Sequence, residues 1–205
     1  MKKYLIYFLG VLIMAFGVSL CFQCKLGAGS IDALNKNITD AINSEYITIG
    51  RIVIIENLLF VLIYFIVFKT KDVILPIIVT FCLGTLIDLF NMIIIVGDNI
   101  IIRVLLFIVA INFVCLGVAL MVYNKMSPSA FECLTLIVNK FLSKLSFGTC
   151  KVIIEIVITI LAAIIGLVFL KGFGEVSIAT LIIMIFQGPF IDLYLKLVRK
   201  IKFLN

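Results

Sequence analysis

The 205-residue chain has no histidine and few charges: Asp, Glu, Lys and Arg together make up 14% of it. A soluble domain carries roughly a quarter, so a water-soluble fold is excluded. The missing histidine removes the commonest general base. It also weakens any zinc site, because Cys21 and Cys24 form a single Cys-x-x-Cys with no second pair to complete it. No Walker loop, Ser-His-Asp set or dinucleotide fingerprint occurs. The expectations are therefore no catalytic residue, no metal site, no cofactor and no enzyme. Alternating strand patterning of the outer-membrane kind is absent as well. Met1-Lys2-Lys3 before an apolar run imitates a signal peptide, but no small-x-small cleavage site closes that run. It reads as a retained first helix.

What fills the chain instead is apolar: 64% of residues are hydrophobic and the mean hydropathy is +1.35. Six continuous runs, at 4–24, 47–68, 73–96, 100–123, 147–170 and 176–197, each match the roughly 30 Å hydrocarbon core at a helical rise of about 1.5 Å per residue. The predicted fold class is an all-α integral membrane protein with six transmembrane helices. Pro76 falls in the first turn of the third run, where its missing N–H costs least. The net charge of +6 does not indicate nucleic-acid binding, because Lys and Arg sit at run ends. The expected partners are the lipid bilayer, an unidentified small solute or ion and no nucleic acid. A homodimer is also possible, since six spans leave little room for an enclosed path. Cys82, Cys115 and Cys150 lie in or beside apolar runs, where a free Cys packs as a small hydrophobe.

The runs repeat. Gly17-Val18-Ser19-Leu20 returns as Gly117-Val118-Ala119-Leu120, Lys25 as Lys125, Asp32 as Glu132 and Leu34 as Leu134. Ile47-Thr48-Ile49-Gly50 returns as Leu145-Ser146-Phe147-Gly148, and Gly84-Thr85-Leu86-Ile87-Asp88 as Gly188-Pro189-Phe190-Ile191-Asp192. The chain divides into a first three-helix repeat, 1–98, and a second, 99–205, within one membrane domain. Three crossings per copy place the second copy upside down, a construction common in secondary transporters. With the N-terminus inside, twelve Lys and Arg lie on the cytoplasmic side and Lys25, Lys36, Arg51, Arg103 and Lys171 on the other. The positive-inside rule then places both termini in the cytoplasm.

After the first span of each copy comes a longer connection, 25–46 and 125–146. Each opens on small residues and continues with helical spacing: Ile31, Leu34, Ile38 and Ile42 in one, Phe131, Leu134, Val138 and Phe141-Leu142 in the other. Both are expected to be short amphipathic helices lying on the bilayer or re-entering it. Ser129 and Glu132 fit a capping box, and Gly29-Ser30 can start the helix that carries Asp32. Alternatively these N-termini turn inward and offer N–H groups to an anionic group.

Four carboxylates fall inside spans: Glu56, Asp88, Glu155 and Asp192. An unpaired carboxylate in hydrocarbon costs several kcal/mol, so such groups face the bundle interior, pair or stay protonated. One reading is a central polar path with acidic groups in each half, suited to cation or proton coupling. The other is local neutralisation through Lys151–Glu155 and Asp192–Lys196, both four apart. The candidate substrate- or ion-binding set is therefore Gly29, Ser30, Asp32, Glu56, Asp88, Ser129, Glu132, Glu155 and Asp192. Gly17, Gly84, Gly117 and Gly188 are expected at close helix contacts.

The stretch 17–34, with Gly-Val-Ser-Leu followed by Lys-Leu-Gly-Ala-Gly-Ser-Ile-Asp-Ala-Leu, resembles the first signature of the YczE/YitT-like family of bacterial membrane proteins. Gly50, Gly84 and Ile87-Asp88 resemble its later landmarks. The resemblance implies a fold and a plasma-membrane location, and no settled activity. The expected function is a small-solute or ion transporter of the bacterial inner membrane. The alternative is a non-transporting accessory protein that binds a partner protein or lipid.

Overall fold

A computed structural model describes residues 2–70, 73–123, 130–145 and 147–200. Among the described residues the chain forms eight helices: α1 (Lys2–Cys24), α2 (Ser30–Ile42), α3 (Ile49–Phe68), α4 (Ile74–Ile93), α5 (Ile100–Tyr123), α6 (Ala130–Phe141), α7 (Phe147–Phe169) and α8 (Ile178–Lys200). Six of them, α1, α3, α4, α5, α7 and α8, are long and apolar enough to cross a membrane. The chain is a multi-pass helical membrane protein.

The span ends differ from expectation at two places. Residues 94–96 leave the helix expected there, and Ile94 and Val96 instead pack on the cluster around Cys21, Cys24, Phe107 and Ile183. The next helix starts where Asn99 Oδ1 accepts from the Ile101 and Ile102 N–H groups, a side-chain N-cap. The last span starts at Ile178, behind Ser177, whose Oγ accepts from Ala179 N at 3.0 Å, and runs on to Lys200.

The bundle is built around α1, the most buried span. It crosses α5 closely because small residues meet there. A Cβ at Gly17 would lie 2.8 Å from Val114 N, and one at Gly117 would lie 2.7 Å from Gly10 O. Lipid tails are as apolar as Leu, so close backbone packing of this kind, rather than a hydrophobic drive, holds spans together. Beyond this contact, α1 packs on α4 and α5 packs on α8. The short helices are exchanged between halves: α2 packs on α7, and α6 on α3. The α3–α4 pair is also closely packed, whereas among the described residues α7 and α8 make no comparable contact.

Candidate functional site

The two short helices were expected to present an apolar face to bilayer or bundle. In α2 the observed burial is different. Ser30, Ala33, Asn35 and Asn37 are buried, whereas Ile31, Leu34 and Ile38 are half-buried and Ile42 is exposed. The reason is that the asparagines find partners inside the protein, which removes the cost of burying an amide. Asn37 Nδ2 donates to Ala162 O at 2.8 Å and to Phe173 O at 3.1 Å, and its Oδ1 accepts from Glu175 N at 2.8 Å. One side chain thus ties α2 to α7 and to the loop before α8. Asn35 Nδ2 donates to Glu56 Oε2 on α3 at 2.6 Å.

Two spaces lie on either side of this helix. Lys36, Thr39 and Asp40 face an open vestibule of about 630 Å³, which Gln23, Lys25, Asn91 and Glu175 also line. Lys36 and Asp40 form an ion pair there. Burial pushes the Glu175 carboxyl above the usual carboxylate range, with Lys36 opposing the shift. Asp32 and Asn35 face the other way, into an inner cavity of about 80 Å³ shared with Glu56, Asn57 and Thr80. Asp32 also lines a smaller space beside Gly29, Cys21, Cys115 and Gln187. Burial pushes its carboxyl up to about 7. Its place in the first turn of α2, beside positive backbone N–H ends, opposes that shift in principle. Helix α2 is therefore a septum between an open polar vestibule and a buried acidic cavity.

The candidate residues separate into groups. Gly29 is the N-cap of α2 and Ser30 its first residue, buried at the helix start. Asp32 and Glu56 come together at the inner cavity. Arg51 does not reach Glu56; its guanidinium donates to Tyr46 O. Asp88 is elsewhere: its carboxylate accepts from Thr48 Oγ1 at 2.5 Å and Gly50 N at 2.8 Å, at the start of α3. Glu155 is buried on α7, within electrostatic reach of Lys151, whose amino group lies over the Phe131 ring. Asp192 is exposed on α8. Glu132 falls in α6, and Ser129 lies outside the described residues. Gly188 departs from the close packing expected of it, since a Cβ there would meet nothing within 4 Å.

Sequence reasoning missed Asn35, Asn37, Asn57, Thr80 and Glu175. The available signal was Asn35 and Asn37, two amides in a helix too short to span. Cys21 and Cys24 are free thiols packed in the apolar cluster with Phe107 and Ile183.

These features define a class: a small multi-pass helical protein with an acidic, amide-lined cavity behind a short buried helix. A family description matches residues 1–196, and the chain belongs to this family of unknown function, DUF6198. It is also similar to the uncharacterized protein YyaS of Bacillus subtilis (strain 168). The two are 24% identical over 201 residues, covering 97% of this chain and 94% of the other. No solved structure matches.

Proposed function

We propose that the chain is a transporter of a small solute or ion in the bacterial plasma membrane, built from two inverted three-helix repeats with both termini in the cytoplasm. The observation that carries this reading is the septum: Lys36 and Asp40 on one side of α2, Asp32 and Asn35 on the other. A transporter needs a polar site near the middle of the bilayer that is separated from one side by a movable element. The inverted arrangement draws support from the exchanged packing of α2 on α7 and α6 on α3, and from the matched α1–α4 and α5–α8 pairs. Kinship with YczE/YitT-like proteins rests on the 17–34 stretch and adds no activity. A second reading, an accessory protein, is favoured by one feature, the exposed carboxylate of Asp192 on a lipid-length helix.

Uptake of a broad solute panel into reconstituted vesicles under imposed ion and pH gradients tests the proposal. Wild-type protein should accumulate at least one solute, and Asp32→Asn combined with Glu56→Gln should not. Topology has a separate test. A thiol introduced in the 25–46 connection should label from outside intact cells, and one in 125–146 only after permeabilisation. Equal access to both connections would defeat the inverted arrangement.

A further inference from the structure

We propose that Asn35, Glu56 and Asp32 form a binding site for a small monovalent cation, which the protein takes up in exchange for a proton. The inference rests on the transport reading for its purpose, but its chemistry stands on the cavity alone. Asn35 is 2% exposed. Its Nδ2 is committed to Glu56 Oε2, which fixes the amide orientation and leaves Oδ1 buried with no hydrogen-bond partner. Glu56 Oε1 is likewise buried and without one. Buried acceptors of this kind are normally satisfied, so two side by side on one cavity wall call for a ligand that is all donor or all positive charge. Both residues line the same inner cavity as Asp32, whose charge acts on Glu56 across it.

The choice of a cation follows from what else lines the space. Two carboxylates contribute, and no Lys or Arg is among the described lining residues. An anionic ligand would meet like charge from both Asp32 and Glu56. The choice of a monovalent ion follows from size and wall chemistry. About 80 Å³ holds two or three water volumes at roughly 30 Å³ each. Remaining walls such as Met14, Val18, Val79 and Leu83 are apolar. A divalent ion needs a full shell of oxygen ligands or retained waters, for which about 80 Å³ bordered by these apolar side chains leaves too little room. An alkali-metal ion and ammonium share the required chemistry.

Exchange with a proton follows from the geometry. Asp32 and Glu56 share one small cavity with no Lys or Arg among its described lining residues, so two ionised carboxylates there need a proton or a cation between them. Burial pushes the Asp32 carboxyl up to about 7, in the same sense. The titratable groups facing it among the described residues are Glu56 on α3, Cys21 on α1 and Cys115 on α5; α8 presents the neutral Gln187. Binding a cation would favour the ionised form and release the proton.

The test uses purified full-length protein in detergent at constant ionic strength. NaCl, KCl, NH4Cl and methylammonium chloride are compared with N-methyl-D-glucamine chloride, which is too large for the cavity. Expected is a saturable rise in melting temperature with at least one of the small cations. In weakly buffered solution near neutral pH, the same cation should release protons on addition. Glu56→Gln should weaken the apparent affinity at least tenfold, and Glu56→Asp should restore part of it. Identical melting in all five salts would overturn the inference, as would undiminished affinity in a folded Glu56→Gln. If Glu56→Gln does not fold, the wild-type proton release decides, and its absence overturns the exchange. A protein that transports a neutral solute yet binds no cation would refute this site and leave the transport reading standing. Cation binding without flux of any kind would support the site and refute transport.

Discussion

Helices α3 and α4 of the first half and α7 and α8 of the second share one residue pattern and pack differently. In the first half Gly50 and Gly84 bring two backbones together, so a Cβ at Gly50 would lie 2.0 Å from Gly84 O. Asp88 then receives the Thr48 hydroxyl and the Gly50 N–H. In the second half the equivalent Gly188 faces open space, Asp192 is exposed and the two helices stand apart. The lesson is that a Gly…Asp pattern specifies an interface a helix is able to make, and not that the interface is closed. In an alternating-access protein the halves would exchange these arrangements, one pair closed while the other is parted.

The comparison breaks most readily at the glycines. Gly50→Ala or Gly84→Ala should cost about 3 kcal/mol or more, because no rotamer relieves a backbone overlap. Gly188→Ala should cost no more than about 0.5 kcal/mol, as an exposed substitution away from any contact. Melting in detergent measures both, and comparable losses would mean that α7 and α8 close in solution. The carboxylates give a smaller contrast. Asp88→Ala strands a hydroxyl and a helix-start N–H and should cost about 1–3 kcal/mol, while Asp192→Ala should be near neutral. A large loss for Asp192→Ala would place it in an interface, with a partner or with the parted α7.

A third contrast is between α2 and α6. Asn37 holds three hydrogen bonds to α7 and its following loop, and its equivalent in α6 is the apolar Ile137, buried without such bonds. Asn37→Ala should cost about 2 kcal/mol and speed amide exchange in 170–177, with little change in α6. Uniform exchange across the protein would show that Asn37 is not the tether.

The smallest expected effect is in pH. Asp32 has a folded value of about 7, above its ordinary 3.8. Its contribution to stability is therefore present below the ordinary value and is lost as pH rises through about 7. Glu56, Cys21 and Cys115 face it in both proteins. Between about pH 5 and about pH 8, wild-type melting should fall by more than that of Asp32→Asn. Parallel profiles would show that Asp32 is not the titrating group.

The spans were legible because continuous apolar runs of bilayer length leave few alternatives. The site was legible in part. Glu56 stood out as a carboxylate in apolar surroundings, where burial cost demands a reason, and Asp32 only as part of a helix start that could turn inward. Asn35 and Asn37 did not, because an amide in a short amphipathic pattern reads equally well as a solvated face. Their significance lies in partners 21 and more than 100 residues away, which no local period reports. Asp88 and Asp192 show the converse. Their local sequences match, and only the packing of neighbouring helices separates a bonded carboxylate from an exposed one.

Proton movement in reconstituted vesicles tests the central claim most directly, that Asp32 on α2 and Glu56 beside it on α3 carry ions across the bilayer. In vesicles loaded with a pH-sensitive dye, an imposed gradient of a small monovalent cation should drive protons the opposite way through the wild-type protein. That movement should be lost in Asp32→Asn combined with Glu56→Gln while that protein remains folded. A folded wild-type protein that moves no protons under any of these gradients, or a double variant that moves as many, would contradict the account.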